Sequence, residues 1–387
     1  MKQLFKAVAF AGMLGLFAAC SSSSDNEEPA AQAPAWNTTL VGSYTTWTET
    51  KVQSDADQQF VDQYSDNVKV TIAVNATNNK CADVTVATDS VTYVFTGAEV
   101  ADNTDAYVIT SANGTYKSST KAQVNSNPVK LQAEINKSTK ALNYTLTFGI
   151  DDFAYTVAGN TANKPQYTKM IGTWEVADEN GFQMTWELSD PTLTIKIPTD
   201  STHTMELTPA GVCMFGTAFV NQMHPLGYVT LTADGQIAAK CVTMGTTTDS
   251  ETTQEANSFL ATGYATYEAV SDNQVKVKLN ESKIMATADA DEQVVLKALI
   301  DAVNVDGITV NIKYTDNGAF FYVDQAYLAT LLSSDTTIGQ TITGLLSQLK
   351  DDDLDGFGAT LKIIFAQVPN LMAKTTSFQV GFQTVKR

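Results

Sequence analysis

Apolar and polar residues alternate along much of the chain, beginning near residue 40. Residues 68–74 (VKVTIAV) and 142–148 (LNYTLTF) are clear examples, and such a period of two is typical of strands with one buried face. Turn residues such as Asn113-Gly114 separate these runs. Because no helical period is evident over residues 40–157, the pattern predicts an all-β domain of about eight to ten strands, a sandwich or a barrel.

Alternation resumes after the polar segment 159–166 (GNTANKPQ), which we take as the boundary between two domains. Towards the C-terminus the period changes, and residues 291–304, 324–332 and 336–350 have the period of helices. The apolar segment 361–368 is compatible with a helix or a buried strand, and a last alternating run predicts a closing strand. The sequence therefore predicts a mainly β chain of two antiparallel β domains, the second a barrel with helical insertions near the C-terminus.

The N-terminus has the organisation of a secretory signal peptide, in which Lys2 and Lys6 flank the start of a short apolar segment, 7–19. Residues 16–20 (LFAAC) resemble a bacterial lipobox, which implies cleavage before Cys20 and attachment of lipid to its thiol. More than one acyl chain at this position would anchor the protein stably to a membrane. An ordinary signal peptide with an incidental cysteine is the alternative.

The segment after Cys20 (SSSSDNEEPAAQAPA) is polar and rich in Pro and Ala, which predicts a flexible tether. Its serine and acidic run is similar to the surface-export signal of Bacteroidota-type lipoproteins and implies an outer-membrane location facing the cell exterior. A spacer on the periplasmic side is the alternative. Trp36 falls at the end of this tether without an evident packing partner. The predicted division of the chain is a signal peptide (1–19), a lipidated cysteine and tether (20–38), an N-terminal domain (39–158), a linker (159–168) and a C-terminal domain (169–387).

The chain is acidic, with 42 Asp and Glu against 24 Lys and Arg and a formal net charge of −18. Its basic residues do not cluster, and such a surface repels phosphate backbones, so we expect no nucleic-acid binding. Beyond Cys20, the cysteines are Cys81, Cys213 and Cys241. We expect them to be small buried hydrophobes. A disulfide between Cys213 and Cys241, both on predicted strands, is the alternative.

The two domains open with related motifs, VGSY at 41–44 and IGTW at 171–174. The second motif, Gly172, Thr173 and Trp174, resembles the opening of lipocalin-like (calycin-like) barrels. Together with the helices before the last strand, it makes residues 169–387 similar to lipocalin-like surface lipoproteins of Bacteroidota type. The resemblance implies a barrel in which Gly172 lets the first strand bend and the Trp174 ring closes the base. It carries over no ligand-binding residue.

The sequence contains few groups suited to catalysis. His203 and His224 are the only histidines, and no metalloprotease, nucleophile-elbow, phosphate-loop or CxxC motif is present. We expect both histidines to be solvated side chains, and we predict no catalytic residues and no enzymatic activity. A carboxylate pair suited to glycoside hydrolysis is the residual alternative among so many acidic residues, although no particular pair is indicated.

An acidic segment near the C-terminus has the spacing of a calcium loop. Asp351, Asp353 and Asp355 occupy positions one, three and five of an EF-hand, and Gly356 occupies position six. Position twelve, where a bidentate carboxylate should complete the shell, is Lys362. We therefore expect a solvated connecting loop and no cofactor, with a weak Ca²⁺ site as the alternative.

These features predict a non-catalytic, membrane-anchored surface lipoprotein that binds a small hydrophobic ligand or a glycan at the barrel mouth. A structural scaffold of an outer-membrane complex, with no small-molecule ligand, is the alternative. The two hypotheses differ in the barrel interior, because a carrier needs unfilled space whereas a scaffold fills it with side chains. Trp47 and Trp186, at alternating strand positions, are expected in the core, with sugar stacking as the alternative.

Overall fold

Two antiparallel barrels, with helices in the second, make up the protein, which confirms the predicted fold class. The structure is a computed structural model. The residues it describes are 36, 40–54, 59–118, 127–177, 181–198, 204–223, 225–243, 257–287, 290–333, 335–348 and 358–387.

Eight strands pair in sequence order to form the first barrel, and the last strand pairs with the first to close it. The burial of every second side chain in Val129–Asn136 shows how the period of two directs one face inward. Closure leaves no open sheet edge for pairing with another chain. The strands are β1 (Gly42–Ser54), β2 (Gln59–Val74), β3 (Cys81–Ala87), β4 (Val91–Asp102), β5 (Ala106–Ser118), β6 (Val129–Asn136), β7 (Leu142–Ile150) and β8 (Phe153–Asn160).

Apolar side chains such as Phe95 and Ile109, neither of them solvent-exposed, fill the interior of the first barrel. Trp36 belongs to this core, and its carbonyl accepts a 2.9 Å hydrogen bond from the backbone N–H of Leu40. The Tyr44 hydroxyl donates to the Leu40 carbonyl at 2.9 Å. The expectation that Trp36 has no packing partner is therefore wrong. Its indole packs against the barrel interior because burial removes a large apolar surface from water.

The second barrel also closes with eight strands, through the pairing of its first and last strands. A ninth strand, Phe182–Leu188, pairs with the last strand of the barrel just beyond the end of the first strand. On the last strand, Thr384 pairs with Val176 of the first strand, and Phe382 pairs with Phe182 of the ninth. The ninth strand is β10 (Phe182–Leu188), and a separate two-stranded sheet pairs β11 (Ile195–Pro198) with β12 (Thr204–Leu207). The strands of the barrel itself are β9 (Gly172–Val176), β13 (Leu226–Leu231), β14 (Gln236–Thr243), β15 (Asn257–Ser271), β16 (Gln274–Leu279), β17 (Ile308–Tyr314), β18 (Gly318–Asp324) and β19 (Thr375–Lys386).

The helices of the second barrel all lie at one end of it. Successive connections in an antiparallel barrel alternate between its two ends. The turns 232–235, 272–273 and 315–317 are short and lie at one end, so the helical connections lie at the other. These helices are α1 (Pro209–Met223), before β13, α2 (Glu281–Met285) and α3 (Ala290–Asp306), before β17, and α4 (Gln325–Leu332), α5 (Thr337–Gln348) and α6 (Gly358–Met372), before β19.

The predicted helices within α3, α4 and α5 are confirmed, and the ambiguous apolar segment belongs to helix α6. The sequence-based prediction missed α1 and so placed Cys213 wrongly on a strand. Thr208 begins this helix: its Oγ1 accepts a 3.1 Å hydrogen bond from the N–H of Gly211, and Pro209 fits the first turn. Among the described helices, none combines the length and apolar character needed to cross a bilayer.

Candidate ligand-binding site

The motif that opens the second barrel closes one end of its interior. Gly172 has a φ of +139°, a conformation that favours glycine. Trp174 is 2% exposed, and its Nε1 donates to the Met170 carbonyl at 2.8 Å. The indole packs edge-on against Phe321, with ring centroids 5.3 Å apart. Lys386 Nζ lies 5.0 Å from the indole centroid, and burial lowers the pKa of this lysine. These contacts place Trp174 among the packed side chains of the barrel base.

Thr173 points the other way, to the outside of the barrel, where it contacts the first barrel. Its Oγ1 accepts a 3.0 Å hydrogen bond from the backbone N–H of Val61 in β2. The same oxygen lies 2.8 Å from Oγ1 of Thr230 in β13. Thr173 and Thr230 are both buried. The middle residue of the motif therefore joins the outer walls of the two barrels.

Glu49 of β1 strengthens this joint between the barrels. Its Oε1 accepts a 2.7 Å hydrogen bond from the backbone N–H of Ala233, in the β13–β14 turn, and its Oε2 lies 3.3 Å from Lys51 Nζ. Burial raises the pKa of the Glu49 carboxyl, and Lys51 and the Ala233 N–H act against this effect. Beside it, a crevice of about 180 Å³ is lined by Lys51, Val61, Thr230, Thr232, Gln236, Ile237, Ala238, Thr262 and Gly263.

The interior of the second barrel is packed at its base and accessible towards the helical end. The strand register and the inward position of Trp174 identify the side chains that line this accessible half, which we call the mouth. Small residues, notably Ala239 and Ala261, face each other across β14 and β15. The described mouth residues are all apolar: Phe378, whose ring packs edge-on against Trp186, is buried, Phe259 is exposed, and the half-buried ones are Phe182, Met184, Trp186, Leu226, Ala239, Cys241, Ala261, Ala265, Leu279, Ile308, Val323, Val380 and Phe382.

The two barrels differ in how far their inward side chains are buried. Most inward side chains of the first barrel form one large buried cluster, against which half-buried side chains such as Tyr116 and Tyr155 pack. In the second barrel, the buried cluster is restricted to a few residues around Trp174, Leu231 and Ile312. Partial exposure of inward apolar side chains in a closed barrel means that solvent-sized space adjoins them. Such apolar space suits a hydrophobic ligand.

Helix α1 forms part of the rim of the mouth. Asn221 bonds to the free edge of β10, accepting from the Phe182 N–H at 2.8 Å and donating to the Phe182 carbonyl at 3.0 Å. The helix contains no charged residue. On its outer side, Met214, Phe215 and Phe219 are each at least 60% exposed. An apolar helical face thus borders the mouth and remains open to solvent.

A second apolar space lies among the helices at the same end. It is a cavity of about 490 Å³, which we call the cap groove, and its volume falls within the range of roughly 300–1,000 Å³ that is common for small-molecule sites. Pro369, inside α6, cannot donate the backbone hydrogen bond of a regular helix. The groove is lined by Leu331 and Leu332 of α4, Ile342, Thr343 and Ser347 of α5, and Lys362, Ala366 and Pro369 of α6.

Several predicted site residues fall outside the described residues, namely Cys20, the acidic trio Asp351, Asp353 and Asp355, and both His203 and His224. Within the part of the chain that the structure describes, no group of three or more His, Cys, Asp or Glu could hold a metal ion.

No disulfide joins the three described cysteines, Cys81, Cys213 and Cys241. Cys213, on the inner side of α1, is buried, and Cys241 is a half-buried mouth residue. Burial raises the pKa of both thiols, as expected for apolar surroundings. Cys81 lies on β3 and is half-buried.

The tryptophans proposed for the core take different positions. Trp47 is on the outer wall of the first barrel, where it stacks on Tyr64 with centroids 6.2 Å apart and donates from Nε1 to the Ala162 carbonyl at 2.8 Å. Trp186 is half-buried in the mouth, and its Nε1 donates to Thr375 Oγ1 at 2.9 Å. Its only polar atom is thus engaged by the protein, which leaves an apolar surface towards the mouth.

Sequence reasoning did not identify Glu49 or the cap groove. Glu49 is one acidic residue among many, and its partner Ala233 is 184 residues away. An acidic side chain within an alternating strand is ordinarily solvent-facing, and no local signal distinguishes one that meets a second domain. The cap groove depends on how three separate helices pack, which no single period reveals.

No protein-family model matches the chain. No curated protein matches it either. A solved structure of a Bacteroides fragilis protein, provisionally described as an outer membrane protein, is similar over 74% of this chain and 92% of its own, with 11% identity and a TM-score of 0.36.

Proposed function

We propose that this protein is a non-catalytic, lipid-anchored lipoprotein of the outer membrane that binds a small hydrophobic ligand at the helical end of its second barrel. One observation carries the proposal. Apart from the buried Phe378, the described inward side chains of the mouth are apolar and partly exposed, whereas most of those in the first barrel are buried. A filled barrel serves as a structural module, and an open apolar one requires an occupant or exposes its lining to water.

The chemistry of the mouth favours a hydrophobic ligand over a glycan. Its described lining residues carry no charge, and the Trp186 Nε1 is already bonded to Thr375. Glycans need several hydrogen-bonding partners when they leave water, because unpaired polar groups are costly to bury. The crevice at the joint between the barrels, about 180 Å³, is smaller than the cap groove and lies away from the mouth.

A blocking substitution tests ligand binding at the mouth. Ala261→Phe places a ring in the mouth, while Ala101→Phe adds the same ring at an exposed position of β4. We expect the neutral dye Nile red to bind the wild type and Ala101→Phe and to lose most of its emission with Ala261→Phe. Both variants must first show native circular dichroism. Equal binding by all three proteins would contradict a site in the mouth.

Native mass spectrometry of protein purified gently from its own host would identify the cargo. A reproducible bound mass of a lipid or another apolar compound is the expected result. Lipid anchoring is tested on the same preparation, because the mature chain should begin at Cys20 and carry the mass of acyl groups. Cys20→Ala should abolish that added mass and release the protein from membranes. A chain without acyl mass would contradict the anchoring part of the proposal.

The exposed face of α1 favours a second candidate, an interaction scaffold without a small ligand. Met214, Phe215 and Phe219 offer an apolar surface of the kind that protein partners cover. The scaffold hypothesis predicts a bare protein mass and a protein partner whose capture depends on this face. The dye experiment separates the two candidates, because a scaffold does not respond to Ala261→Phe.

A further inference from the structure

Exposed large apolar side chains concentrate at the helical end of the second barrel. Among the described residues, twelve such side chains are exposed, and eight of them lie at this end, on α1, α3, α6, β12 and the start of β15. The four exceptions are Val41 and Phe153 at the first barrel and Val270 and Val385 near the base of the second. Because contact between apolar surface and water is unfavourable, this concentration marks an end of the molecule that meets an apolar partner.

Helix α1 carries three of these side chains on one face. The spacing of Met214, Phe215 and Phe219 places them together on a helix, and each is at least 60% exposed. Cys213, on the opposite face, is buried. That inner face packs against the mouth, since a Cβ added at Gly216 would lie 3.6 Å from Sδ of the mouth residue Met184. Helix α1 therefore has the mouth on one side and an apolar, solvent-exposed face on the other.

The length and chemistry of α1 suit the surface of a lipid bilayer. At about 1.5 Å per residue, its 15 residues extend about 22 Å, which is less than the roughly 30 Å hydrocarbon core, so the helix can lie along a bilayer and not across it. Many interfacial helices use Lys and Arg to attract anionic head groups. Helix α1 has no charged residue, and the net charge of −18 opposes such attraction. Insertion of the apolar side chains is the interaction that this face offers.

The position of the proposed lipid anchor makes a bilayer the surface that this face meets. Trp36, buried in the first barrel, follows Cys20 by 16 residues. At 3.3–3.6 Å per residue, this stretch reaches at most roughly 55 Å. Attachment within that distance turns contact between α1 and the bilayer into an intramolecular event with a high effective concentration, so even weak partition of the apolar face gives docking. A soluble protein partner has no such advantage.

We infer that the face of α1 formed by Met214, Phe215 and Phe219 inserts into the surface of a lipid bilayer and brings the mouth of the second barrel against the membrane. This inference rests on the proposed function, because it makes the membrane the source or the destination of the hydrophobic ligand. An apolar compound then passes between bilayer and mouth beside α1 with little exposure to water.

Vesicle binding by an unlipidated chain tests the docking face. The full mature chain with Cys20→Ala lacks the acyl anchor, so its partition onto vesicles of pure phosphatidylcholine reports the protein surface alone. In this background, Phe215→Ser with Phe219→Ser removes two rings from α1. The matched control is Phe153→Ser with Val270→Ser, which removes two exposed apolar side chains away from the helical end. Sedimentation with sucrose-loaded vesicles would measure the partition coefficient.

We expect the α1 double variant to weaken partition about twentyfold, because withdrawal of each ring from water contributes roughly fivefold at its present exposure. The control double variant should bind as the parent chain does. Added salt should have no effect, since no charge pairing contributes. Equal partition by the α1 and control variants would overturn the inference. Binding that requires phosphatidylglycerol and weakens with salt would overturn it as well.

A fluorescent residue on the same face gives a second readout that does not depend on removing both rings. Phe219→Trp places an indole on the exposed face of α1, and Phe153→Trp places one on the first barrel. Phosphatidylcholine with brominated acyl chains quenches an indole that enters the hydrocarbon. After subtraction of the four native tryptophans, the emission of Phe219→Trp should fall on vesicle binding and that of Phe153→Trp should not. Absence of quenching in Phe219→Trp would overturn the inference.

These outcomes are distinguishable from failure of the proposed function. If the chain does not bind vesicles but Nile red still responds to Ala261→Phe, docking on the bilayer fails and the carrier function stands. If α1-dependent vesicle binding is found without Nile red binding in the mouth, the carrier function fails and the docking face stands. If analytical ultracentrifugation shows a dimer that the α1 double variant dissociates, the face is an interface between copies and the inference is overturned.

Discussion

The carboxylate of Glu49 in the first barrel accepts a 2.7 Å hydrogen bond from the backbone N–H of Ala233 in the second. Ala233 is half-buried in the turn between β13 and β14, and the acceptor that its N–H needs belongs to a strand of the other barrel. The bond from Val61 N–H to Thr173 Oγ1, at 3.0 Å, acts in the opposite direction across the same joint. The two barrels are therefore held together by reciprocal bonds between backbone and side chain.

Glu49→Ala should weaken the joint. It leaves the Ala233 N–H without its acceptor, and an unsatisfied buried donor costs about 1–3 kcal/mol. Glu49→Gln keeps an oxygen acceptor and should cost less. Denaturant unfolding would measure both variants, with Glu134→Ala on the exposed face of β6 as the control, which should change the free energy of unfolding by less than about 0.5 kcal/mol. If Glu49→Ala is as stable as Glu134→Ala, the hydrogen bond between Glu49 and the Ala233 N–H does not stabilise the joint.

The same carboxyl should make stability depend on pH. Burial raises the pKa of Glu49 above its ordinary value of 4.5, so the folded protein holds this proton more tightly than the unfolded chain does. The stabilising contribution is thus fully present below pH 4.5 and is lost as the pH rises through the raised pKa. Relative to Glu49→Gln, the wild type should lose stability over that interval. If the difference in the free energy of unfolding between the wild type and Glu49→Gln does not change with pH, the prediction is contradicted.

The mainly β fold of two antiparallel domains could be predicted from sequence because its signals are local. The closure of the first domain could not, since a barrel rather than a sandwich depends on the distant pairing of β1 with β8. The period of two marks each strand, and the change of period marks α3, α4 and α5. The inward face of α3 could be predicted only in part. The helical period of residues 291–304 places Val294 and Ala302 on one apolar face; Ala302 is buried, but Val294 is 77% exposed, and Ile300 is buried instead. Which apolar face a helix buries depends on its neighbours in space.

Helix α1 was missed for a related physical reason. An amphipathic pattern identifies a helix only when its solvent side is polar, and here the solvent side carries Met214, Phe215 and Phe219. The segment therefore has no helical contrast between its faces. Its clearest local signal is Thr208-Pro209, a hydroxyl cap followed by a first-turn proline. Trp36 is the opposite case: it is a single apolar residue at the end of a polar segment, and it is buried in the barrel core.

Trp174→Ala should destabilise the second barrel strongly. The indole is 2% exposed and its Nε1 is bonded to the Met170 carbonyl, so truncation opens a cavity and leaves an acceptor unpaired. Large-to-small substitutions of buried aromatic residues cost about 3–5 kcal/mol. Trp186→Ala, at a half-buried position in the mouth, should cost less. Calorimetric unfolding would measure both, and equal destabilisation would contradict a packed base with an accessible mouth.

The exposed face of α1 should contribute to function and little to stability. Phe215 and Phe219 are 60% and 62% exposed, so replacing both by Ser removes apolar surface that is already in contact with water. Substitutions at such sites ordinarily change the free energy of unfolding by less than about 0.5 kcal/mol each. We expect the double variant to keep its melting temperature and to take up Nile red more slowly, because these rings border the mouth.

Stopped-flow fluorescence would measure the uptake rate of Nile red. The control is Val270→Ser, at an exposed position of β15 near the opposite end of the barrel. An unchanged rate would limit this face to docking, and a large loss of stability would mean that the rings pack within the fold.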